Sequence, residues 1–311
     1  MYSTSPRRHR PTAVRTLALG LAGAAIVTLC AQSASADIWS RRTPSWGPAE
    51  LVLTGGGCPI ETPDALSLML ASGRPGGAGD IDIWVIDRTS IDGAWSAPKN
   101  LPLPVNSASA DFCPAPLDRI LFFVSARPHP EACGGSDIFV SRQSPAGDWS
   151  EPAHLPCAPD GPNTAGMERS PSFVETWYGS FLFYSTAGPG GDDDIHVSIV
   201  GSDGSFGRGH VVKELSTPGK HDQMPTVRAR GGSGFEVTFN SDRPGTPWNP
   251  VSGGQDVYWS QSSFLPFWWS APRNAGPLVN TSADETRASL SFDLQRLYVG
   301  SGGNIHVSER Q

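Results

Sequence analysis

The chain has 311 residues, with 35 glycines, 29 prolines and only 17% charged side chains, which favours a turn-rich all-β protein over a helical one. Its formal net charge is −7; setting aside a basic leader that holds four of the 23 basic residues and none of the 30 acids leaves 19 against 30, or −11. With Lys99, Lys213 and Lys220 as its only lysines and no basic patch, the remainder excludes nucleic acid and anionic membrane as partners.

Residues 1–36 read as a signal peptide. Arg7, Arg8, Arg10 and Arg15 form a basic start, Thr16 to Ala31 is an apolar run short for a bilayer span, and Ala34-Ser35-Ala36 offers small residues for cleavage after Ala36. Arg7-Arg8 leaves both the general secretory and the twin-arginine route open. Cys30 follows Leu29, where a lipid-anchored cysteine has a small neighbour. The expected location is therefore secreted, periplasmic or cell-envelope. No later segment has the apolar length of a membrane span.

From residue 45 onward one unit is written repeatedly. A glycine-rich turn runs into an Asp-Ile strand in "SGRPGGAGDIDIWV", "SARPHPEACGGSDIFV", "STAGPGGDDDIHV", "SDRPGTPWNPVSGGQDVY" and "SGGNIHV", opened by Ser72, Ser125, Ser185, Ser241 and Ser301. The spacings are 53, 60, 56 and 60 residues. An apolar strand precedes each serine, as in "ILFFVS", and a shorter strand such as "CPAPLD" precedes that. A fourth element begins at Trp95, Trp149, Phe206 and Trp269. Four short strands at this period predict an all-β, five-bladed β-propeller of four-stranded antiparallel blades. The repeat units fall at about 55–107, 108–164, 165–219, 220–281 and 282–311. The fifth copy lacks its tryptophan element, and "SWGPAEL" at 45–51, with Trp46, is expected to supply it and close the ring. Asp37-Ile38-Trp39 looks like a sixth third strand with no slot among five blades. Within the turn, glycine is expected to supply positive-φ geometry and Asp82 to cap the turn.

The unit acid-x-x-Pro, Ser-x-Arg-Pro-Gly-Gly, Asp-Ile-Trp/Tyr-Val, Trp-x-x-Pro and Val-Asn-Ser/Thr resembles the WD40-like repeat called PD40, found in TolB-type propellers and many exported bacterial proteins. "VNS" at 105–107 and "VNT" at 279–281 belong to it; copy 3 departs, with Phe206 for tryptophan and Ala187 where arginine is expected. The resemblance implies the propeller fold and a habit of binding, but no reaction.

At one equivalent position near the start of each first strand stand Gly56, Asp111, Glu168, Asp222 and Glu285. The four carboxylates are expected to ring the axial mouth, either as part of the repeat or as a funnel for a cation, a sugar or a basic peptide. The main functional expectation is an exported, monomeric, non-catalytic binding module for a protein or glycan ligand. The alternative is a glycan-active hydrolase using two ring acids about 5 to 9.5 Å apart, against which stands the likeness of repeated positions, since such enzymes need carboxyls of unequal pKa. No G-x-S-x-G elbow, cofactor motif or metal-site spacing is present. Asp192, Asp193 and Asp194 read as solvated turn acids, and His196 and His306 as packing substitutes for Trp84, Phe139 and Tyr258.

Four cysteines follow the leader, an even number that suits two disulfides in an exported chain. Cys133 in the copy-2 turn and Cys157 in the link leaving that blade are expected to pair. Cys58 and Cys113 share a register in adjacent first strands and are paired by the same reasoning, provided that their Cα atoms come within about 7 Å.

Overall fold

The computed structural model describes residues 45–187, 191–231, 234–247, 250–263 and 268–311. Ser45–Gln311 forms one compact unit. The expected leader, its cleavage point at Ala36 and Asp37-Ile38-Trp39 lie outside the described residues, as does part of the copy-3 turn.

Every repeat becomes one four-stranded antiparallel sheet, and no helix occurs among the described residues. β1 (Glu50–Thr54) is set aside by the chain and used last. Blade I is β2 (Gly57–Glu61), β3 (Ser67–Ser72), β4 (Asp82–Asp87) and β5 (Lys99–Asn100). Blade II is β6 (Asp111–Leu117), β7 (Ile120–Ser125), β8 (Asp137–Arg142) and β9 (Ala153–His154). Blade III is β10 (Arg169–Thr176), β11 (Gly179–Ala187), β12 (Asp193–Val200) and β13 (His210–Val211). Blade IV is β14 (Asp222–Ala229), β15 (Phe235–Ser241), β16 (Asp256–Ser262) and β17 (Arg273–Asn274). Blade V is β18 (Glu285–Leu290), β19 (Arg296–Ser301) and β20 (Asn304–Glu309), with β1 as its outer strand.

The second and third strands are rich in β-branched and aromatic residues and are buried on both faces, because each sheet is covered by a neighbour on either side. Apolar clusters accordingly sit at the blade junctions. Ile60, Met69 and Ile83 of blade I meet Leu121, Phe123 and Phe139 of blade II; Phe122 and Ile138 meet Leu182 and Tyr184. Phe181, Phe183 and Val197 meet Val237, Phe239 and Tyr258, Val257 meets Leu290 and Val299, and Tyr298 and Ile305 meet Leu68, Leu70 and Trp84. Asn106, Asn163 and Asn280, the asparagines of the Val-Asn or Pro-Asn link, each accept the amide of the third strand and donate back to its carbonyl. That motif therefore ties a blade to its exit link.

The ring closes as expected. β1 pairs antiparallel with β20, from Glu50 opposite Val307 to Thr54 opposite Asn304. Upstream, Trp46 bridges Arg310, the Gly47 amide donates to the Glu309 carbonyl at 2.8 Å, and the Gln311 amide donates to the Ser45 carbonyl at 2.8 Å. Trp46 is buried, and its isolated bridge matches those of Trp149, Phe206 and Trp269 with their own third strands. The closing segment is thus Ser45–Thr54, longer than the expected 45–51.

Two local expectations change. In copy 3, Tyr184 pairs with His196 as Leu70 pairs with Trp84, so the residue equivalent to Ser72 is Thr186 and not Ser185. The glycines of the turn serve close approach more than handedness. Gly76 does take φ +95°, yet Gly79, Gly134 and Gly253 have ordinary φ values and no room for a side chain: a Cβ there would meet the carbonyls of Ser109, Gly166 and Ala283 in the adjoining link at 2.5, 2.0 and 2.7 Å. Asp82 caps the turn as expected, accepting the amides of Ala78 and Gly79.

Removing residues 45–54 takes away Trp46 and bares the edge of β20. A buried tryptophan alone is worth about 3–5 kcal/mol, so the thermal midpoint is expected to fall by roughly 10 °C or more, or the chain to aggregate. Calorimetry of the chain with and without this segment tests it; coincident melting contradicts the closing role.

Candidate functional site

The ring acids begin the innermost strands, but none faces solvent. Asp111, Glu168, Asp222 and Glu285 are all fully buried. Each takes hydrogen bonds from a Ser or Thr in the link before it. Asp111 accepts the Ser107 amide and hydroxyl at 2.6 and 2.7 Å, and Glu168 accepts the same groups of Thr164 at 3.0 and 2.5 Å. Asp222 accepts the Thr217 amide at 2.5 Å, and Glu285 accepts the Thr281 amide and hydroxyl at 3.1 and 2.7 Å.

The four are not alike. The two aspartates are paired with the arginine of their own turn, Arg127 at 2.7 Å and Arg243 at 2.5 Å. Copies 3 and 5 lack that arginine and carry glutamate instead, whose longer arm reaches Thr186 at 2.9 Å or Ser301 at 3.0 Å. In both glutamates Oε2 is buried with no partner. Burial, opposed only in part by these hydrogen bonds, raises the Glu168 pKa to about 7 and raises that of Glu285 as well. Copy 1 has Gly56, and its Arg74 turns to the carbonyls of Thr54 and Gly55.

What faces the axis is the next residue or two along each strand. Cys58, Cys113, Ser170, Met224 and Arg287, each two residues past the ring position, all have positive φ, between 26° and 57°, and the strand pairing slips at each. This repeated bulge turns the side chains inward. The result is an open cavity of about 370 Å³, within the range of small-molecule pockets. Its walls are Phe112, Met224, Thr286, Arg169, the glycines of copy 1 and the Cys58–Cys113 disulfide. One layer deeper, the buried Arg287 donates to the carbonyls of Pro114 at 2.7 Å and Pro171 at 3.1 Å, tying blade V across the axis to blades II and III.

The polar side of the mouth belongs to blade III. Arg169 is ion-paired with Asp193, which also meets His221 Nδ1 at 3.0 Å. Asp193 is buried, and burial with Asp192 nearby raises the Asp194 pKa, so these three are not simply solvated turn acids. His196 packs on Tyr184 at 5.7 Å between ring centroids, the role expected of it. Both disulfides form as paired in sequence, with Cα separations of 5.1 Å for Cys58–Cys113 and 5.8 Å for Cys133–Cys157. The lining residues escaped the sequence reading because the repeat was aligned on what its copies share. Their signal was the reverse: Gly57-Cys58, Phe112-Cys113, Arg169-Ser170, Gln223-Met224 and Thr286-Arg287 differ from copy to copy at one register.

No protein-family model and no curated protein matches the chain. Solved structures match it in fold. The α-L-arabinofuranosidase from Lactobacillus brevis is 10% identical with a TM-score of 0.54, over 85% of this chain and 92% of that one. The α-L-arabinofuranosidase PaAbf62A from Podospora anserina, in complex with cellotriose, is 9% identical with a TM-score of 0.52, over 86% and 97%. An N-acetylgalactosamine deacetylase from F. plautii, in complex with blood group B trisaccharide, is 11% identical with a TM-score of 0.52, over 83% and 84%. At such identities the likeness establishes the fold.

These matches correct two expectations. The propeller stands, but the PD40/TolB-type family does not: no family model supports it, and the similar folds are those of enzymes acting on glycans. Strand-packing residues such as Ser, Asp, Ile and Trp report a blade and not a lineage. The preference for a non-catalytic module falls with it, because it rested on that family and on equivalent ring acids, and the acids are not equivalent.

The Glu168 carboxyl gives a pH-dependent signature. Its folded pKa lies above the unfolded value, so from about 4.5 to about 7 the native chain holds a proton that the unfolded chain releases. Its contribution to stability is therefore present at low pH and lost as pH rises through about 7. Glu168→Gln is expected to gain stability over the parent between pH 5 and 8, by at most about 3 kcal/mol. Urea unfolding at both pH values measures it; an unchanged difference between variant and parent contradicts the raised pKa.

Proposed function

We propose that the chain is a glycan-active hydrolase whose sugar site is the axial mouth. The observation that carries this reading is a pair of carboxyls with unlike surroundings on one blade. Glu168 holds its proton up to about pH 7, while Asp193 is held by the Arg169 guanidinium that lines the cavity. Glycoside hydrolysis needs such a pair, one carboxyl to protonate the leaving oxygen and one carboxylate to act as base or nucleophile. Arg169 and Thr286 offer donors to sugar hydroxyls, and Phe112, Met224 and the Cys58–Cys113 bridge offer an apolar face to a sugar ring. Glu168 is fully buried, so the reading requires the Arg169–Asp193 pair to open as a glycan enters. The arabinofuranosidases and the N-acetylgalactosamine deacetylase that share the fold support the same substrate class. A leader of the signal-peptide type on residues 1–36 places the activity in the envelope or outside the cell, where polysaccharide is met.

The test is hydrolysis of nitrophenyl glycosides and of a polysaccharide panel by the chain from residue 37 onward. Glu168→Gln and Asp193→Asn are each expected to lower kcat by about 100-fold or more, with the chain still folded at the assay temperature by circular dichroism. Activity should fall above about pH 7 as Glu168 loses its proton. A parent chain that binds glycan without cleaving it, or a Glu168→Gln variant at the parental rate, overturns the reading.

A further inference from the structure

In four blades the short outer strand pairs with the third strand, and its residue opposite the ring is asparagine in blades I and IV, valine (Val211, opposite His196) in blade III and histidine in blade II. Asn100 stands opposite Trp84 and Asn274 opposite Tyr258, each donating to the capping aspartate, Asp82 at 3.2 Å or Asp256 at 2.7 Å. Each also accepts from the link asparagine, Asn106 or Asn280. In blade II the same slot opposite Phe139 holds His154. Its Nε2 lies 2.9 Å from Asp137 Oδ2, and its side chain is 98% buried. Asn163, whose amide nitrogen stands 3.3 Å from the same Nε2, already donates to the carbonyls of Ile138 and Leu155. The proton on Nε2 therefore goes to Asp137, and that imidazole nitrogen takes over the asparagine's donation to the capping aspartate.

The other nitrogen has no work to do. Nδ1 of His154 is buried and has no hydrogen-bond partner. A neutral imidazole that donates one N–H to a carboxylate and keeps the other lone pair bare is prepared as a metal ligand, since the carboxylate fixes the tautomer and raises the basicity of the free nitrogen. Two further donor residues stand beside the same imidazole on the turn between β7 and β8. One donor atom each from His129, Glu131 and His154 lies within 4.8 Å of the others. The turn is anchored next to them by the Cys133–Cys157 bridge and by the Gly135 amide, which donates to Gly166.

We propose that His129, Glu131 and His154 form a binding site for a zinc-type divalent cation, with a fourth position left to water. Two imidazoles and one carboxylate suit zinc and its borderline neighbours rather than calcium or magnesium, which take oxygen ligands. Ligand atoms around tetrahedral zinc sit about 3.4 Å apart for bonds of about 2.1 Å, so the donors must close in by roughly 1 Å from 4.8 Å. His129 must also leave its stack on His154, where the ring centroids are 4.6 Å apart and the planes 17° from parallel, because stacked rings cannot aim both lone pairs at one ion. Its ring accepts the Glu131 amide at Nδ1 over 3.2 Å, a weak bond to give up. The site does not involve the axial mouth and does not depend on the hydrolase reading.

The chain itself supplies the control. Asparagine fills this slot in blades I and IV, so His154→Asn keeps a donor to Asp137 and removes the spare nitrogen together with the ring's packing on His129 and Phe139. Titration of zinc chloride against a chromophoric chelator, without reductant so that Cys133 and Cys157 stay bridged, should show one saturable site per parent chain. His154→Asn is expected to weaken it by roughly 100-fold while keeping the parent's far-ultraviolet circular dichroism in the absence of zinc. His129→Ala, a change in a half-buried turn residue, should weaken it similarly and guards against a folding failure of the first variant. Zinc should raise the parent's thermal midpoint and leave both variants unmoved. A parent without saturable binding, binding that appears only after reduction, or equal binding by the variants overturns the proposal.

Discussion

The carboxylate at the head of four of the five innermost strands is the interaction on which the axial face depends. It closes the link from one blade onto the first strand of the next, replacing water around otherwise unpaired amides and hydroxyls. Where the turn supplies an arginine, as at Asp111 and Asp222, the acid is short and ion-paired; where it does not, as at Glu168 and Glu285, the acid is long and is met by the hydroxyls of Thr186 or Ser301 without a cation. Breaking one of the arginine pairs would leave a buried charge alone, a loss of about 3–5 kcal/mol. The two glutamates instead bear the cost of burial themselves, which is why one of them holds a proton near neutral pH.

That scaffold frees the following residues. Each inner strand bulges at the same place, so one position in every blade is released from the repeat, and its residue differs in what it does from blade to blade. One is a glycine-cysteine pair, one carries phenylalanine, one arginine, one methionine and one threonine before a buried arginine. The mouth is consequently asymmetric on a nearly symmetric frame. Its polar edge lies on blade III and its smooth, glycine-lined edge on blade I. A ligand entering it meets a defined orientation, which a ring of identical acids would not provide.

Blade II is the most heavily fastened part of the axial face. Cys58–Cys113 ties its inner strand to blade I, and Cys133–Cys157 ties its long turn to its exit link. The same turn brings His129 over His154 and carries Glu131 beside them. An oxidising compartment, expected from the leader, is the setting in which both bridges persist.

The sequence by itself determined the architecture. Repeated strands, the aromatic of the fourth element and the orphan Trp46 specified five blades and their closure, because blade packing is periodic and each copy must bury the same faces. The Cys58–Cys113 pairing was legible for the same reason, since register places equivalent residues on neighbouring strands, and Cys133–Cys157 because the copy-2 turn and its exit link share a face. The site was not. Repetition drew attention to Asp111, Glu168, Asp222 and Glu285, which are alike because they serve the fold, and it gave Ser185 a role that the strand register assigns to Thr186. Which residues face the axis depends on a one-residue bulge, and a bulge shifts side chains without leaving any pattern in the sequence. Only the tertiary structure could set Arg169 against Asp193 and His221, or leave one nitrogen of His154 without a partner, because those relations join residues 24 to 28 apart or depend on what a side chain does not touch.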